Sequence, residues 1–168
     1  VSTEDGVAGA TLRSTEDGTA TVSATSGDAD DDVTVDFEPG DPDDVDLMAH
    51  PDDLTVDETT TLAAEVRDLY DNHVADGTEV VFETDMGCFE VGGECSSSTV
   101  TLSTVDGMAT TVLSSTQAGT AMVTATSNGA SDSEPVIFRP GEPKYLTLQA
   151  EPGELPIYQL SELTVGVF

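Results

Sequence analysis

Hydrophobic and polar residues alternate with a period of two along much of the chain. In segments 99–103, 109–112 and 121–126, small apolar side chains take turns with Thr and Ser hydroxyls, as expected of a strand with one buried face. Val80–Phe82 and Val136–Phe138 are short apolar runs of strand length. No stretch between residues 41 and 138 carries a 3.6-residue apolar period. The pattern therefore predicts strands in this region.

Seven strands are predicted within about 100 residues, and turn signals separate them. Asp106-Gly107 lies between the fourth and fifth strands and predicts a hairpin there, because Gly accepts a positive φ. This number of short strands is typical of an all-β fold built from immunoglobulin-like β-sandwich domains. The predicted strands lie near Val45–Ala49, Thr60–Arg67, Thr78–Glu83, Ser98–Thr104, Met108–Ser114, Thr120–Ser127 and Glu134–Phe138.

The chain also repeats itself after 101 residues. Val1–Arg67 aligns with Leu102–Phe168 without a gap, and about 28 of the 67 aligned residues are identical. A repeat of this length suits a whole domain. Both copies contain a Phe-x-Pro-Gly-x-Pro stretch, which we interpret as a linker because Pro cannot continue a strand ladder. The predicted organisation is tandem: the C-terminal part of a preceding domain at 1–37, a linker at 38–43, a complete domain at 41–138, a linker at 139–143, and the N-terminal part of a following domain at 142–168.

The two partial domains should not be stable alone. Half of a sandwich has unpaired strand edges and an open core. We expect them to be completed by sequence outside this segment or by strands from neighbouring chains.

Three segments of the complete domain share a recognisable pattern. They are Asp68–Phe82, Ser103–Ala109 and Ser115–Ala125. Together they resemble the bacterial immunoglobulin-like repeats of the invasin and intimin type, in which the first segment has the form Asp-x-x-Gly-Asn-Pro-Val-x-Gly-x-x-Val-x-Phe. Asp71 and His73 stand where that family has Gly and Pro. The resemblance implies an extracellular or cell-surface protein in which many such domains form a stalk or fibre, with adhesive activity in specialised end domains.

The charge of the chain is strongly one-sided. It has 34 acidic and 4 basic residues and a formal net charge of −30. Such a surface excludes nucleic acid and anionic membranes as partners, since both need cationic surfaces. No run of apolar residues is long enough for direct membrane insertion in this segment. Three explanations of the acidity stay open: a solvated, salt-adapted surface, repulsion that keeps strand edges apart, and specific Ca²⁺ sites.

Two acidic clusters are the candidates for structural Ca²⁺, the one cofactor considered. Both lie near the first domain boundary, where a cation could stiffen the joint. At the second boundary most of the corresponding carboxylates are replaced, and no EF-hand-like loop is present. A solvated acidic surface is therefore the favoured explanation. The candidate ligands are Asp28, Asp30, Asp31, Asp32, Glu38, Asp41, Asp43 and Asp44.

Cys88 and Cys95 are the only cysteines, and they bracket a short Gly-containing segment. Their spacing is unsuitable for a redox pair or a zinc site. We predict a disulfide that holds an exposed loop, which fits an oxidising extracellular setting. Two free thiols and a loop that grips a ligand are the alternatives.

Catalytic motifs are absent from the sequence, and no catalytic residue is predicted. His50 and His73 both lie in turn-like acidic settings, and paired carboxylates carry little weight in so acidic a chain. Tyr70, Phe89, Tyr145 and Tyr158 are the aromatic residues expected to be exposed.

Together with this resemblance, the sequence predicts a non-catalytic spacer or stalk repeat of a long extracellular bacterial surface or filament-forming protein. Its expected partners are neighbouring domains of the same chain. A ligand-binding adhesin module that uses domain-end loops is one alternative, with a cell-surface ligand as partner. A strand-exchanging filament subunit that binds copies of itself is the other.

Overall fold

The computed structural model describes residues 1–168, and every regular element in it is a β-strand. It contains no helix with the length and apolarity needed to span a bilayer. The strands are β1 (Gly18–Ser26), β2 (Ala29–Phe37), β3 (Pro42–His50), β4 (Asp53–Thr55), β5 (Thr59–Asp68), β6 (Glu79–Thr84), β7 (Cys88–Val91), β8 (Glu94–Ser97), β9 (Thr99–Ser103), β10 (Met108–Ser114), β11 (Gly119–Ser127), β12 (Ala130–Arg139), β13 (Leu146–Glu151) and β14 (Glu162–Val167).

Ten of these strands form a sandwich of two five-stranded sheets, which we call the central sandwich. Their orders are β3-β5-β10-β7-β8 and β4-β12-β11-β6-β9. The alternation in sequence becomes an alternation in burial. On β5, Leu62, Ala64 and Val66 are fully buried, while the residues between them are partly exposed. A single core of 17 buried apolar residues lies between the sheets.

All seven predicted strands are present, and the all-β sandwich is confirmed. Three short strands, β4, β7 and β8, were not predicted. The segment between the cysteines is a hairpin of β7 and β8, where we expected a loop. The prediction that Phe89 is exposed is wrong. This residue is fully buried and packs edge-to-face on Phe82 with 6.3 Å between ring centroids, because β7 extends the first sheet over the core.

The Asp106-Gly107 turn forms, but it does not join paired strands. Asp106 and Gly107 have φ values of 50° and 74°, as a tight turn requires. However, β9 pairs with β6 in one sheet and β10 pairs with β5 and β7 in the other. The buried Thr104 hydroxyl accepts from the Thr78 amide and donates to the Ala75 carbonyl. These bonds hold the end of β9 in its own sheet, so the turn carries the chain across the sandwich.

Two separate hairpins flank the central sandwich. The N-terminal hairpin is β1–β2 and the C-terminal hairpin is β13–β14. Their registers match those of strands 101 residues away. Gly18 lies opposite Phe37 as Gly119 lies opposite Phe138, and Leu148 lies opposite Val165 as Leu47 lies opposite Ala64. No second sheet covers either hairpin, so most of their apolar side chains are exposed.

The two linkers leave the central sandwich at opposite ends. Gly40 is bonded to Asp68, the last residue of β5, whereas the Val56 amide, near the start of β5, donates to the Arg139 carbonyl. The 10 residues of β5 span about 30 Å. This separation places the joint with the N-terminal hairpin far from the exit to the C-terminal hairpin.

Candidate functional site: the joint and the disulfide hairpin

The Asp68 carboxylate is the centre of the joint between the N-terminal hairpin and the central sandwich. Asp68 is buried, with 5% of the residue exposed. Oδ2 accepts from the Gly40 amide at 2.8 Å, and Oδ1 accepts from the amides of Tyr70 at 2.9 Å and Asn72 at 3.0 Å. The Asn72 side-chain amide also donates to both oxygens. One buried carboxylate thus ties the linker to the loop after β5.

These hydrogen bonds decide the protonation state of Asp68. Burial is the largest single influence and acts to raise the pKa of the carboxyl. The side-chain bond from Asn72 and the backbone bonds from Gly40, Asn72 and Tyr70 together outweigh it and lower the pKa to about 2. The Asp68 carboxylate is therefore ionised at neutral pH, and the hydrogen bonds that it accepts are charge-assisted.

Asn72 extends the joint to the N-terminal hairpin. Its Nδ2 donates to the Thr15 carbonyl at 2.9 Å, in the loop that precedes β1. Asp71 has a φ of 70°, the left-handed conformation for which the resembling motif uses Gly. That conformation turns the loop back onto Asp68. Sequence analysis did not single out Asp68 or Asn72 as functional, although both belong to the motif that carries the resemblance.

The eight candidate Ca²⁺ ligands do not converge. Asp28 lies in the turn of the N-terminal hairpin, and Asp30, Asp31 and Asp32 follow in β2, so Asp31 lies on the opposite face from its two neighbours. The remaining four, in the linker and at the start of β3, are Glu38, Asp41, Asp43 and Asp44. All eight candidates are exposed. No group of three or more His, Cys, Asp or Glu side chains is placed to hold a metal ion.

The opposite end of the central sandwich carries the disulfide hairpin. Cys88 in β7 and Cys95 in β8 are joined by a disulfide, with their Cα atoms 5.4 Å apart. Beside it lies a hollow of about 530 Å³, lined by 14 residues of which 3 are hydrophobic. Three carboxylates, those of Asp57, Asp85 and Glu90, lie in its wall with several hydroxyls. The hollow therefore suits a polar or cationic group.

The two histidines do not form a catalytic pair. His73 lies beside the end of β5, with its Nε2 2.7 Å from Glu65 Oε1. That bond, with help from Arg67, lowers the pKa of Glu65. His50 is exposed and lies opposite Thr61, near the other end of β5. The arrangement gives His73 a structural contact.

One further ion pair secures the exit to the second linker. Arg139 at the end of β12 forms a two-pronged contact with Asp53 of β4, through its Nε and one terminal nitrogen. The hydrogen bond from Arg139 lowers the pKa of Asp53. The bond fastens the short strand β4 to the end of β12, where the two strands run parallel.

The chain matches one protein family and is similar to several solved structures. A sequence profile described as "Invasin, domain 3" matches residues 41–141. The crystal structure of invasin, described as a bacterial integrin-binding protein, is 26% identical with a TM-score of 0.55, covering 79% of this chain and 28% of invasin. Two Yersinia pseudotuberculosis structures have the same fold. InvD is 18% identical with a TM-score of 0.60, covering 90% of this chain and 49% of InvD. The adhesin InvE is 21% identical with a TM-score of 0.53, covering 77% of this chain and 36% of InvE.

The chain spans less than half the length of each of these three solved structures. No curated protein matches it. The region that the profile matches runs from the first linker to the second and includes every strand of the central sandwich.

Proposed function

Because the chain belongs to the family of invasin domain 3, we propose that it is a non-catalytic structural spacer of an extracellular surface adhesin. The observation that carries this proposal is the tied joint. A linker that meets only solvent would let successive units rotate freely. Here a buried, ionised Asp68 holds the linker amide of Gly40, and Asn72 reaches the preceding loop. Bonds of this kind favour one orientation between units, which a stalk needs in order to project.

The stiffness of the joint can be measured by pulsed electron paramagnetic resonance. Spin labels are placed on the chain at Thr34→Cys in β2 and Thr61→Cys in β5, both exposed positions on either side of the joint. The native cysteines are already in a disulfide and do not react. We expect a narrow distance distribution that broadens in Asn72→Ala, since that variant loses the bond to Thr15 and the side-chain bonds to Asp68.

A matched control separates the hydrogen bonds from the charge of the loop. Asp71→Asn removes one exposed carboxylate and keeps a residue that tolerates positive φ. It should leave the distribution narrow. A wild-type distribution as broad as that of Asn72→Ala would contradict the spacer proposal, because the joint would then be flexible with its bonds intact.

The hollow beside the disulfide favours a second candidate, a ligand-binding adhesin module. Its volume falls in the usual range for ligand sites, although its lining is more polar than most. Invasin, the relative described as integrin-binding, makes an integrin the first ligand to test.

This candidate is tested by binding of the fluorescently labelled chain to integrin-bearing cells. Glu90→Gln and Asp85→Asn, which alter the wall of the hollow, should weaken binding if the hollow makes the contact. Asp46→Asn is the matched control, since its exposed carboxylate lies on β3 outside the hollow. If the chain does not bind these cells, or if all variants bind equally, the hollow is not a ligand site. The spacer role would then be the remaining proposal.

A further inference from the structure

Strand β9 is an edge strand of the central sandwich, and its outer side carries unpaired backbone groups. It pairs with β6 on one side and is the last strand of its sheet on the other. We propose that this edge is a docking site for an extended, cationic segment of a partner protein, which adds to the sheet as a further strand. The docked segment would lie along Thr99–Ser103.

The pairing of β9 with β6 determines which of its backbone groups face outward. The two strands are antiparallel, and the Thr104 amide donates to the Thr78 carbonyl at the end of the pair. In an antiparallel pair every second residue bonds to the neighbouring strand. The amides and carbonyls of Thr99, Thr101 and Ser103 therefore point away from β6, toward the free edge.

Ser97 already occupies the first of these three positions. Its hydroxyl donates to the Thr99 carbonyl at 2.7 Å and accepts from the Thr99 amide at 3.2 Å. Thr101 and Ser103 have no such partner, because β9 pairs with β6 alone. Two amides and two carbonyls are thus open at this edge, and a row of such groups is a template for another strand.

The other edges of the central sandwich carry features that hinder strand addition. β3 contains one Pro and three Asp, the part of β12 beyond β4 contains one Pro and two acidic residues, and β4 and β8 have only three and four residues. Charge, proline and shortness are common ways to protect an edge. By contrast, the five residues of β9 include no charge and no Pro. The whole segment 96–105 is uncharged in a chain with 34 acidic residues.

The free edge lies on the side of the sandwich that is remote from both linkers. The first linker leads into β3 and the second leaves β12, and these strands lie at the other side of the two sheets. β9 is three strands away from β12 in its sheet, a distance of about 14 Å. The docking edge is therefore a property of the central sandwich itself.

Carboxylates beside β9 favour a cationic partner. Glu83 lies opposite Thr99 and Glu79 lies opposite Ser103, and all four residues are exposed. Residues that lie opposite each other share one face of the sheet. A Lys or Arg on the added strand can extend across the small Thr and Ser side chains to these carboxylates. No basic residue lies between positions 68 and 138 to compete for them.

The same charges disfavour a second copy of this chain as the occupant. Two chains with a net charge of −30 each repel one another. Pairing of β9 with β9 of another copy would also place Glu79 and Glu83 of both chains on one continuous face. The edge therefore fits a different protein whose extended segment carries positive charge.

The experiment is amide hydrogen exchange, followed by nuclear magnetic resonance on the isotope-labelled 168-residue chain. The probe is the peptide acetyl-Thr-Lys-Val-Lys-Val-Lys-Thr-amide, which has its Lys side chains on one face when extended. At saturating peptide, exchange at Thr101 and Ser103 should slow by about tenfold or more. A peptide with Glu in place of each Lys should not bind, and the affinity of the Lys peptide should fall as salt rises.

Variants of the edge test the backbone and the charge separately. Thr101→Pro removes an outward amide, which an edge strand tolerates, and should abolish binding, whereas Thr101→Val should bind like the wild type. Ser97→Ala frees the backbone groups of Thr99 and should strengthen binding roughly fivefold. The double variant Glu79→Gln/Glu83→Gln should weaken binding roughly fivefold through loss of two exposed ion pairs.

A methylated peptide is the control that leaves the protein unchanged, so it is informative even if a variant fails to fold. Methylation of alternate backbone amides keeps the three Lys residues but removes hydrogen-bond donors, and this peptide should not bind. The proposal is overturned if the Lys peptide does not bind, if the Glu or methylated peptide binds equally well, or if exchange at Thr101 and Ser103 does not slow. Protection that appears without peptide and grows with protein concentration would also overturn it, because the occupant would then be a second copy.

Discussion

Replacing Asp68 by Asn should destabilise the central sandwich by about 2 kcal/mol at neutral pH and by much less near pH 2. The magnitude follows from the pKa of this carboxyl, which folding lowers from 3.8 to about 2. A tenfold change in an ionisation constant corresponds to about 1.4 kcal/mol, so the preference of the folded state for the ionised form is worth about 2 kcal/mol. Its source is the set of amide donors from Gly40, Tyr70 and Asn72.

The sign of the pH dependence is fixed by the direction in which folding moves this pKa. A lowered pKa in the folded state stabilises the protein above the unfolded value of 3.8, and this contribution is lost as the pH falls toward 2. The assay is urea denaturation followed by far-ultraviolet circular dichroism, since the chain has no Trp. The quantity compared is the difference in unfolding free energy between wild type and Asp68→Asn at each pH. This difference cancels the general effect of acid on so acidic a chain.

Asp46→Asn serves as the matched control, because its carboxylate is exposed and makes no hydrogen bond within the chain. It should change the unfolding free energy by less than about 0.5 kcal/mol at any pH. An Asp68→Asn penalty that stays constant from neutral pH to pH 2 would refute the reasoning. The side chain would then matter for its packing, with no contribution from its charge.

Three further predictions concern the core, the disulfide and the acidic surface. Phe89→Ala should lower the unfolding free energy by about 3–5 kcal/mol, because the ring is fully buried against Phe82. The control Phe168→Ala should have little effect, since that residue is exposed. If urea denaturation gives the two variants equal losses of unfolding free energy, β7 is not part of the core. The double variant Cys88→Ser/Cys95→Ser should lose about 2–3 kcal/mol through the closed loop of the disulfide, and an unchanged urea midpoint would indicate that the bond constrains nothing. Ca²⁺ should raise the melting temperature no more than Mg²⁺ at equal ionic strength, since no three acidic side chains converge; a specific Ca²⁺ effect that Asp41→Asn removes would instead show a site at the first linker.

The regular strands of the central sandwich were predictable because burial on one face leaves a period of two in the sequence. On β5, and on β11 from Thr120 onward, buried residues alternate with fully or partly exposed ones. The short strands β7 and β8 leave no such trace, since together they place only Phe89 in the core. Phe89 lies between a cysteine and a glutamate, and its burial depends on how β7 pairs with β10. Pairing of that kind is a property of the tertiary structure.

The joint was the part least accessible to sequence analysis. The acidic residues drew attention to Glu38, Asp41, Asp43 and Asp44, which are exposed. The carboxylate that binds the linker is Asp68, 28 residues from Gly40 in the sequence. In a chain with 34 acidic residues, composition cannot distinguish the one buried acid from the rest. The distinction depends on the amides that the folded loop directs at it.

The placement of the linkers determines how a tensile load would act on the central sandwich. Tension enters at the start of β3, beside Asp68, and leaves at the end of β12, beside Val56. These two strands run in the same direction and are neighbours across the edge of the sandwich, joined by the bond from Leu47 to Asp132. Pulling from the two ends would therefore slide β3 along β12, so that the contacts between them must fail together. A load in this shearing geometry is resisted collectively, which would let the folded unit survive forces that would peel a hairpin open one pair at a time.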